Sequence, residues 1–199
     1  CGSCGRARPG CGLVLDGGEV VRSDSSRVAL DLALPGRSAM ANAAMAFAVV
    51  EGLGVPIEPA VRAWHDIRSI EGRYQHVPYE GAELVLHLAK NPAGWADLLD
   101  LVSRGTAPLV LVLNAQGQDG RDPSWIWDVP FEQLRGRRAV CLGERGTDLA
   151  VRADYAGLEV TRVTTLAEAA RAVAPGPVDL IANYSAFQQV RAELGRATS

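Results

Sequence analysis

From residue 73 onward, short apolar runs alternate with stretches whose apolar positions recur every three or four residues. Tyr74–Tyr79 and Glu83–Leu88 read as a hairpin around Glu80-Gly81. Asn91/Pro92 then opens a helix reaching about Arg104, followed by the apolar run Leu109–Leu113. A helix is expected near Phe131, then strand Ala139–Leu142, helix Thr147–Gly157, strand Val160–Val163, helix Leu166–Ala174, strand Val178–Ala182 and helix Ser185–Leu194. Strands alternating with helices of about ten residues mean βαβ units and a mainly parallel sheet. The expectation is a Rossmann-like α/β domain over residues 73–199.

The first 72 residues follow another pattern. Leu13–Leu15 and Glu19–Arg22 flank Asp16-Gly17-Gly18, a hairpin signal, and Arg27–Leu34 reads as a further strand. Pro35-Gly36 punctuates before an Ala-rich helix, Ala39–Leu53, which stops near Gly54. A second amphipathic helix covers Ile57–Ile67. Ser69–Gly72 reads as a hinge, so residues 1–72 are expected to be the tail of a separate domain. The chain opens at Cys1 inside a motif, without an initiator Met, as a piece of a longer protein would.

Composition narrows the function classes. The net charge is −3 and no Lys/Arg run occurs, so no nucleic-acid footprint is present. The longest apolar stretch, around Ala39–Val50, is too short and broken to span a bilayer, and no transmembrane segment is expected. Arginine almost wholly replaces lysine, which leaves Lys90 as the sole lysine.

Asp119-Gly-Arg-Asp-Pro-Ser-Trp-Ile-Trp-Asp128 is the densest chemistry in the chain. It carries three aspartates and two of the four tryptophans, just past the carboxyl end of the Leu109–Leu113 strand. Ligands of open α/β sheets sit outside the carboxyl ends of strands. Carboxylates there can bind a cation, orient an imidazole or position ammonia. The same segment also reads as a loop anchored by both tryptophans with solvated aspartates.

Other motifs carry two readings each. Cys1-Gly-Ser-Cys4-Gly5 has the thiolate spacing of half a zinc ribbon, or of a redox pair. Cys141, inside a strand, reads as an apolar filler. Asn42 lies one turn into the Ala-rich helix, where it either contacts a ligand or bonds locally. Arg73 follows Gly72 and either reaches phosphate or stays on the surface. Lys90-Asn91-Pro92-Ala93-Gly94 pairs a cation with a helix N-terminus, which suits an anionic ligand but is also an ordinary strand-to-helix turn.

Taken in order, these motifs resemble the Mur-ligase-like subunit family of lipid II isoglutaminyl synthase. The resemblance rests on Cys1/Cys4, Leu34–Ala43, Gly72–Gln75, Lys90–Gly94 and Asp119–Asp128, the last two being the specific ones. It implies a C-terminal Mur ligase domain over 73–199, preceded over 1–72 by the remnant of the central ATPase domain with a partial zinc ribbon. It implies ATP- and Mg2+-dependent amidation of the D-glutamate α-carboxylate in the lipid II stem peptide, at the inner face of the membrane. An acyl phosphate would be attacked by ammonia from a class I glutamine amidotransferase subunit of the GatD type. Asp122 and Asp119, then Asp128, would be the candidates for completing that partner's Cys-His triad. Asn42 and Arg73 would face nucleotide, with Lys90 and Asn91 in the cleft where ATP meets the carboxylate. Cys1 and Cys4 would ligate Zn2+ in the intact protein.

This sequence departs from the family pattern in three places. Gln75 replaces the Glu of Gly-Arg-x-Glu, Pro130 stands where an acidic residue is expected, and no Gly-x-x-x-x-Gly-Lys-Ser/Thr phosphate loop occurs. The chain alone is therefore expected to be inactive. An amino-acid-adding Mur or folylpolyglutamate-type ligase and a non-catalytic docking module that activates a glutaminase are the competing readings.

Overall fold

The computed structural model describes residues 2–7 and 10–197. The chain divides into two compact units, Cys1–Arg68 and Ser69–Ser199.

The first unit is a three-stranded antiparallel sheet with two helices. Its strands are β1 (Leu13–Asp16), β2 (Glu19–Arg22) and β3 (Arg27–Ala29), in that order across the sheet. β3 ends well short of Leu34, because Asp31 takes a positive φ of 42° and turns the chain away. Leu30 is buried there beside Val20, Ala43 and Phe47. Helices α1 (Arg37–Gly52) and α2 (Ile57–His65) follow. α1 is apolar around its whole circumference: Ala43 and Phe47 are buried while Met45, Val49 and Leu53 are exposed.

The second unit holds one six-stranded sheet, ordered β4-β5-β9-β6-β7-β8. The strands are β4 (Tyr74–Tyr79), β5 (Ala82–Leu88), β6 (Leu109–Val112), β7 (Arg138–Leu142), β8 (Glu159–Arg162) and β9 (Gly176–Ala182). Only the β4–β5 hairpin is antiparallel; every other pairing is parallel. Helices α3 (Pro92–Ser103), α4 (Gly146–Tyr155), α5 (Leu166–Val173) and α6 (Tyr184–Ala197) cover the faces.

Strand alternation divides the core in two. Val110, Val112, Val140, Leu142, Leu180 and Ala182 face α5 and α6. Leu109, Leu111, Leu113, Cys141 and Ile181 face α3, α4 and the segment after β6. Burial of the Cys141 thiol pushes its pKa up to about 12, which fits an inert filler. A sheet buried on both faces needs continuous apolar strands, and β6 is buried at every position.

The helix expected near Phe131 does not form. Three short 3-10 turns, Gly117–Asp119, Ser124–Asp128 and Phe131–Leu134, take its place between β6 and β7. Pro123 and Pro130 interrupt the run, and each lacks the N–H a continuous helix would use.

One glycine is dictated by packing at the carboxyl edge. Gly143, just past β7, has φ 101°, and a Cβ there would lie 2.5 Å from the Leu113 carbonyl oxygen and 2.8 Å from Asn114 Oδ1. Gly143→Ala therefore adds backbone strain to a clash with a main-chain atom. The expected loss is about 3 kcal/mol of unfolding free energy, read from the urea midpoint.

Candidate functional site

The carboxyl ends of β5, β9, β6 and β7 meet at one edge of the second unit, and two asparagines hold that edge together. Asn114 follows β6 and Asn183 follows β9; both are buried. The Asn114 N–H donates to Asn183 Oδ1 at 3.0 Å, and Asn183 Nδ2 returns a bond to the Asn114 carbonyl at 2.7 Å. The Asn114 amide reaches further. Its Nδ2 donates to Gln189 Oε1 of α6 at 3.0 Å, and its Oδ1 accepts the Glu144 N–H at 2.8 Å. Every polar atom of this buried pair named here has a partner, so the clasp fixes three strand ends and α6 at once.

Asp119 is placed by the same edge. Its Oδ1 accepts the Tyr184 N–H at 3.1 Å and its Oδ2 accepts the Ser185 N–H at 2.7 Å. Both oxygens thus serve the free donors at the start of α6, where a negative charge is favoured. Lys90, exposed after β5, sets its ammonium 4.9 Å from the centre of the Tyr184 ring. Lys90, Tyr184 and Asp119 are therefore neighbours, although residues 90 and 119 come from different strand ends.

Asp122 has another environment. It is exposed, and one carboxylate oxygen accepts the Ser124 N–H at 2.9 Å. That hydrogen bond, joined by the Ser124 hydroxyl and the Arg145 charge, holds the carboxyl below its ordinary range. Asp122 thus presents an exposed, oriented and ionised carboxylate to whatever docks there. Asp128 is also exposed.

The tryptophans divide their work. Trp125 is half-buried and lies 6.4 Å from the fully buried Trp95 ring of α3, which also meets Phe131 at 5.7 Å. Trp127 does not pin the loop as expected: it is 52% exposed and sits over the Arg152 guanidinium at 5.4 Å. The cause is the 3-10 turn, which sends neighbouring odd-numbered side chains apart while Ile126 takes the buried position. Arg152 is the anchor that sequence reading missed. From the last turn of α4, with its side chain buried, it donates to the Val129 carbonyl at 2.6 Å and pairs with Glu132 at 2.9 Å.

The remaining sequence candidates are placed as follows. Asn91 is the N-cap of α3: its Oδ1 accepts the Gly94 N–H at 2.9 Å, with Pro92 in the first turn. Arg73 is exposed at the foot of β4, in the second unit, and Asn42 is exposed on α1, in the first. Cys1 lies outside the described residues. Cys4 is exposed and unpaired, and no group of three metal-ligating side chains exists among the described residues. Those residues do not fit a zinc site. On the opposite face of the edge, a cleft of about 240 Å³ is lined by Gly143, Thr165, Gln189 and Glu193, with no arginine or lysine to suit an anion.

Asn114 and Asn183 carried a signal: each directly follows an apolar run, where a buried amide ends a strand. Arg152 carried none, because its partners come from the 3-10 turns.

The fold is shared with Mur ligase and folylpolyglutamate synthase structures. The chain superposes on UDP-N-acetylmuramate–alanine ligase from Thermotoga maritima with a TM-score of 0.61 at 16% identity, covering 91% of this chain and 43% of that one. Folylpolyglutamate synthase from the same organism gives 0.60 at 20% identity, covering 89% and 43%. The MurT ligase C-terminal family model matches residues 88–187, and the chain belongs to that family. The lipid II isoglutaminyl synthase (glutamine-hydrolyzing) subunit MurT of Staphylococcus aureus strain COL is 33% identical over 135 residues, 65% of this chain and 31% of that protein. Its Streptococcus pneumoniae counterpart is 28% identical over 174 residues, 82% and 39%. UDP-N-acetylmuramoylalanine–D-glutamate ligase of Nitrosospira multiformis is 29% identical over 163 residues, 80% and 34%. The chain thus spans about a third of the length of these curated relatives.

The two leading aspartates separate in a stability measurement. Asp119→Ala frees two helix donors and is expected to cost about 1–2 kcal/mol. Asp122→Ala, which loosens only a surface turn, leaves the urea midpoint unchanged. Chemical denaturation of the two variants side by side reads the difference.

Proposed function

We propose that this chain is the C-terminal part of a ligase subunit that amidates the D-glutamate α-carboxylate of the lipid II stem peptide, at the inner face of the cytoplasmic membrane. Ammonia comes from glutamine hydrolysed by a separate class I amidotransferase subunit of the GatD type. The single observation that carries the reading is the unequal treatment of two aspartates in the family's Asp/Trp-rich segment. Asp119 is committed to α6, whereas Asp122 is exposed and oriented by Ser124.

A Cys-His hydrolase needs a carboxylate to hold the imidazole in its working tautomer and to stabilise the imidazolium that forms. Asp122 supplies that carboxylate in trans. Its depressed pKa keeps it charged when the partner's histidine takes up a proton, so the proton stays on the imidazole. Asp119 acts one step removed, as the tie that fixes the segment against α6. Asp128 ranks third: it is exposed, with no orienting hydrogen bond among the described residues.

ATP and Mg2+ would supply the acyl phosphate chemistry. Of this chain's residues, Lys90 fits a phosphate contact: it is exposed and its ammonium is engaged by the Tyr184 ring alone. It would neutralise charge developing on a transferred phosphoryl group. Asn42 and Arg73 stand as the nucleotide-facing candidates. The eight-residue phosphate-loop motif does not occur in this sequence, so none of these groups makes an ATP site by itself. Zinc belongs to the reading only if a second Cys pair joins Cys1 and Cys4.

The Nitrosospira relative favours a second reading, an amino-acid-adding ligase with no glutaminase. The two part on one experiment. Mixed with a purified class I glutaminase subunit, the chain should support glutamine hydrolysis, and Asp122→Asn should lower the saturated rate by about a thousandfold or more. Hydrolysis unchanged in a complex that still forms removes Asp122 from the triad. No complex with any such subunit favours the amino-acid ligase.

A further inference from the structure

A docking surface extends from the Asp122 site along the outer face of α4. Asp122 interacts electrostatically with Arg145, which pairs with Asp148 at 2.5 Å in the first turn of α4. Val151 and Tyr155 stand three and seven residues beyond Asp148, on the same side of the helix. They are 53% and 79% exposed, and Trp127 packs edge-on to Tyr155 at 5.8 Å. Elsewhere the second unit buries its large apolar side chains thoroughly; among the described residues, this trio and Ile70 are its exposed large hydrophobics.

We propose that Trp127, Val151 and Tyr155 form the apolar anchor on which the glutamine-hydrolysing subunit docks. The proposal rests on the Proposed function reading and adds the surface that makes it work. Geometry selects the occupant. A histidine that hydrogen-bonds Asp122 arrives on a folded partner, and a specific interface covers about 800 Å² per side, a disc of radius roughly 16 Å. Seven residues of helix rise only about 10 Å, so α4 from Asp148 to Tyr155 falls beneath that disc. A partner that completes its triad at Asp122 is thereby brought next to this face, which Arg145 and Trp127 link to the Asp122 segment.

The chemistry of the face suits a permanent contact residue rather than a stray exposed ring. The Trp127 plane is already fixed between the Arg152 guanidinium and Tyr155, so little rotamer freedom remains to be lost on binding. Tryptophan and tyrosine dominate interface energetics. Asp122, Asp128 and Asp154 are exposed carboxylates on this segment and on α4, while Asp148 is paired with Arg145, so basic groups are expected on the partner's rim.

The test titrates this chain into a purified class I glutaminase subunit while following glutamine hydrolysis. Tyr155→Ser and Val151→Asp point outward and leave the core intact; Trp127→Ala is the third variant, with thermal melts to confirm folding. Each is expected to raise the half-saturating concentration about tenfold or more while reaching the wild-type plateau. Asp122→Asn does the reverse and lowers the plateau. Half-saturation unchanged in all three patch variants overturns the proposal. So does a wild-type chain that self-associates through the patch, with the variants monomeric and still stimulating hydrolysis normally. If the wild-type chain neither binds nor stimulates the glutaminase, the underlying functional reading fails, and this partner assignment falls with it.

Discussion

The clasp between Asn114 and Asn183 sets the positions of everything else at the carboxyl edge. Two parallel strands that are buried on both faces end in backbone groups with no further ladder to join, and an unpaired polar group there would cost about 1–3 kcal/mol. Here the Asn183 side-chain amide bonds both the N–H and the carbonyl of Asn114, so the chain ends after β6 and β9 are joined as if the sheet continued. The Asn114 side chain then binds Glu144 after β7 and Gln189 of α6. Gly143 has no side chain because this cluster fills the space a Cβ would need. The start of α6 and the exit of β6 are consequently held close together, which brings Asp119 within hydrogen-bonding reach of the Tyr184 and Ser185 N–H groups.

From that fixed point, the Asp/Trp-rich segment is built as alternating attachments. Asp119 ties it to α6, Trp125 packs toward Trp95, Ile126 is buried, and the Val129 carbonyl and Glu132 are gathered by Arg152. Asp122 and Trp127 face outward between those attachments. A loop this thoroughly fastened has little conformational freedom, so its outward groups are pre-organised. On the proposed reading, in which Asp122 orients a partner's imidazole, that rigidity counts, because a misplacement of about 1 Å can cost two orders of magnitude in rate.

The sheet was readable in the sequence because its strands are continuous apolar runs bounded by Gly, Pro and Asn. Helices α3 to α6 were readable because their apolar stripes face a single layer. Legibility failed where order comes from tertiary contacts. Phe131–Leu134 has a helical look, yet Pro130 and the Arg152 pairing impose a 3-10 turn. Residues 30–34 look like strand, yet Asp31 turns with positive φ. The site was legible in composition and not in assignment. Three carboxylates in ten residues marked it, but sequence spacing could not tell a helix cap from a projecting acid. That distinction depends on where α6 begins, 65 residues further along the chain from Asp119.

The same reasoning bears on Lys90, the sole lysine in a chain where arginine otherwise supplies the positive charge. An arginine at this position would stack its guanidinium flat on the Tyr184 ring and offer a bidentate fork toward the Asp119 carboxylate nearby. That pairing would compete with the hydrogen bonds that Asp119 gives α6. A lysine offers a compact charge that rests on the ring face at 4.9 Å and leaves Asp119 to the helix. The retained ammonium is therefore consistent with two requirements that an arginine would set against each other. On the proposed reading the cation stays available to an anion, while the Asp119 carboxylate stays fastened to its backbone donors.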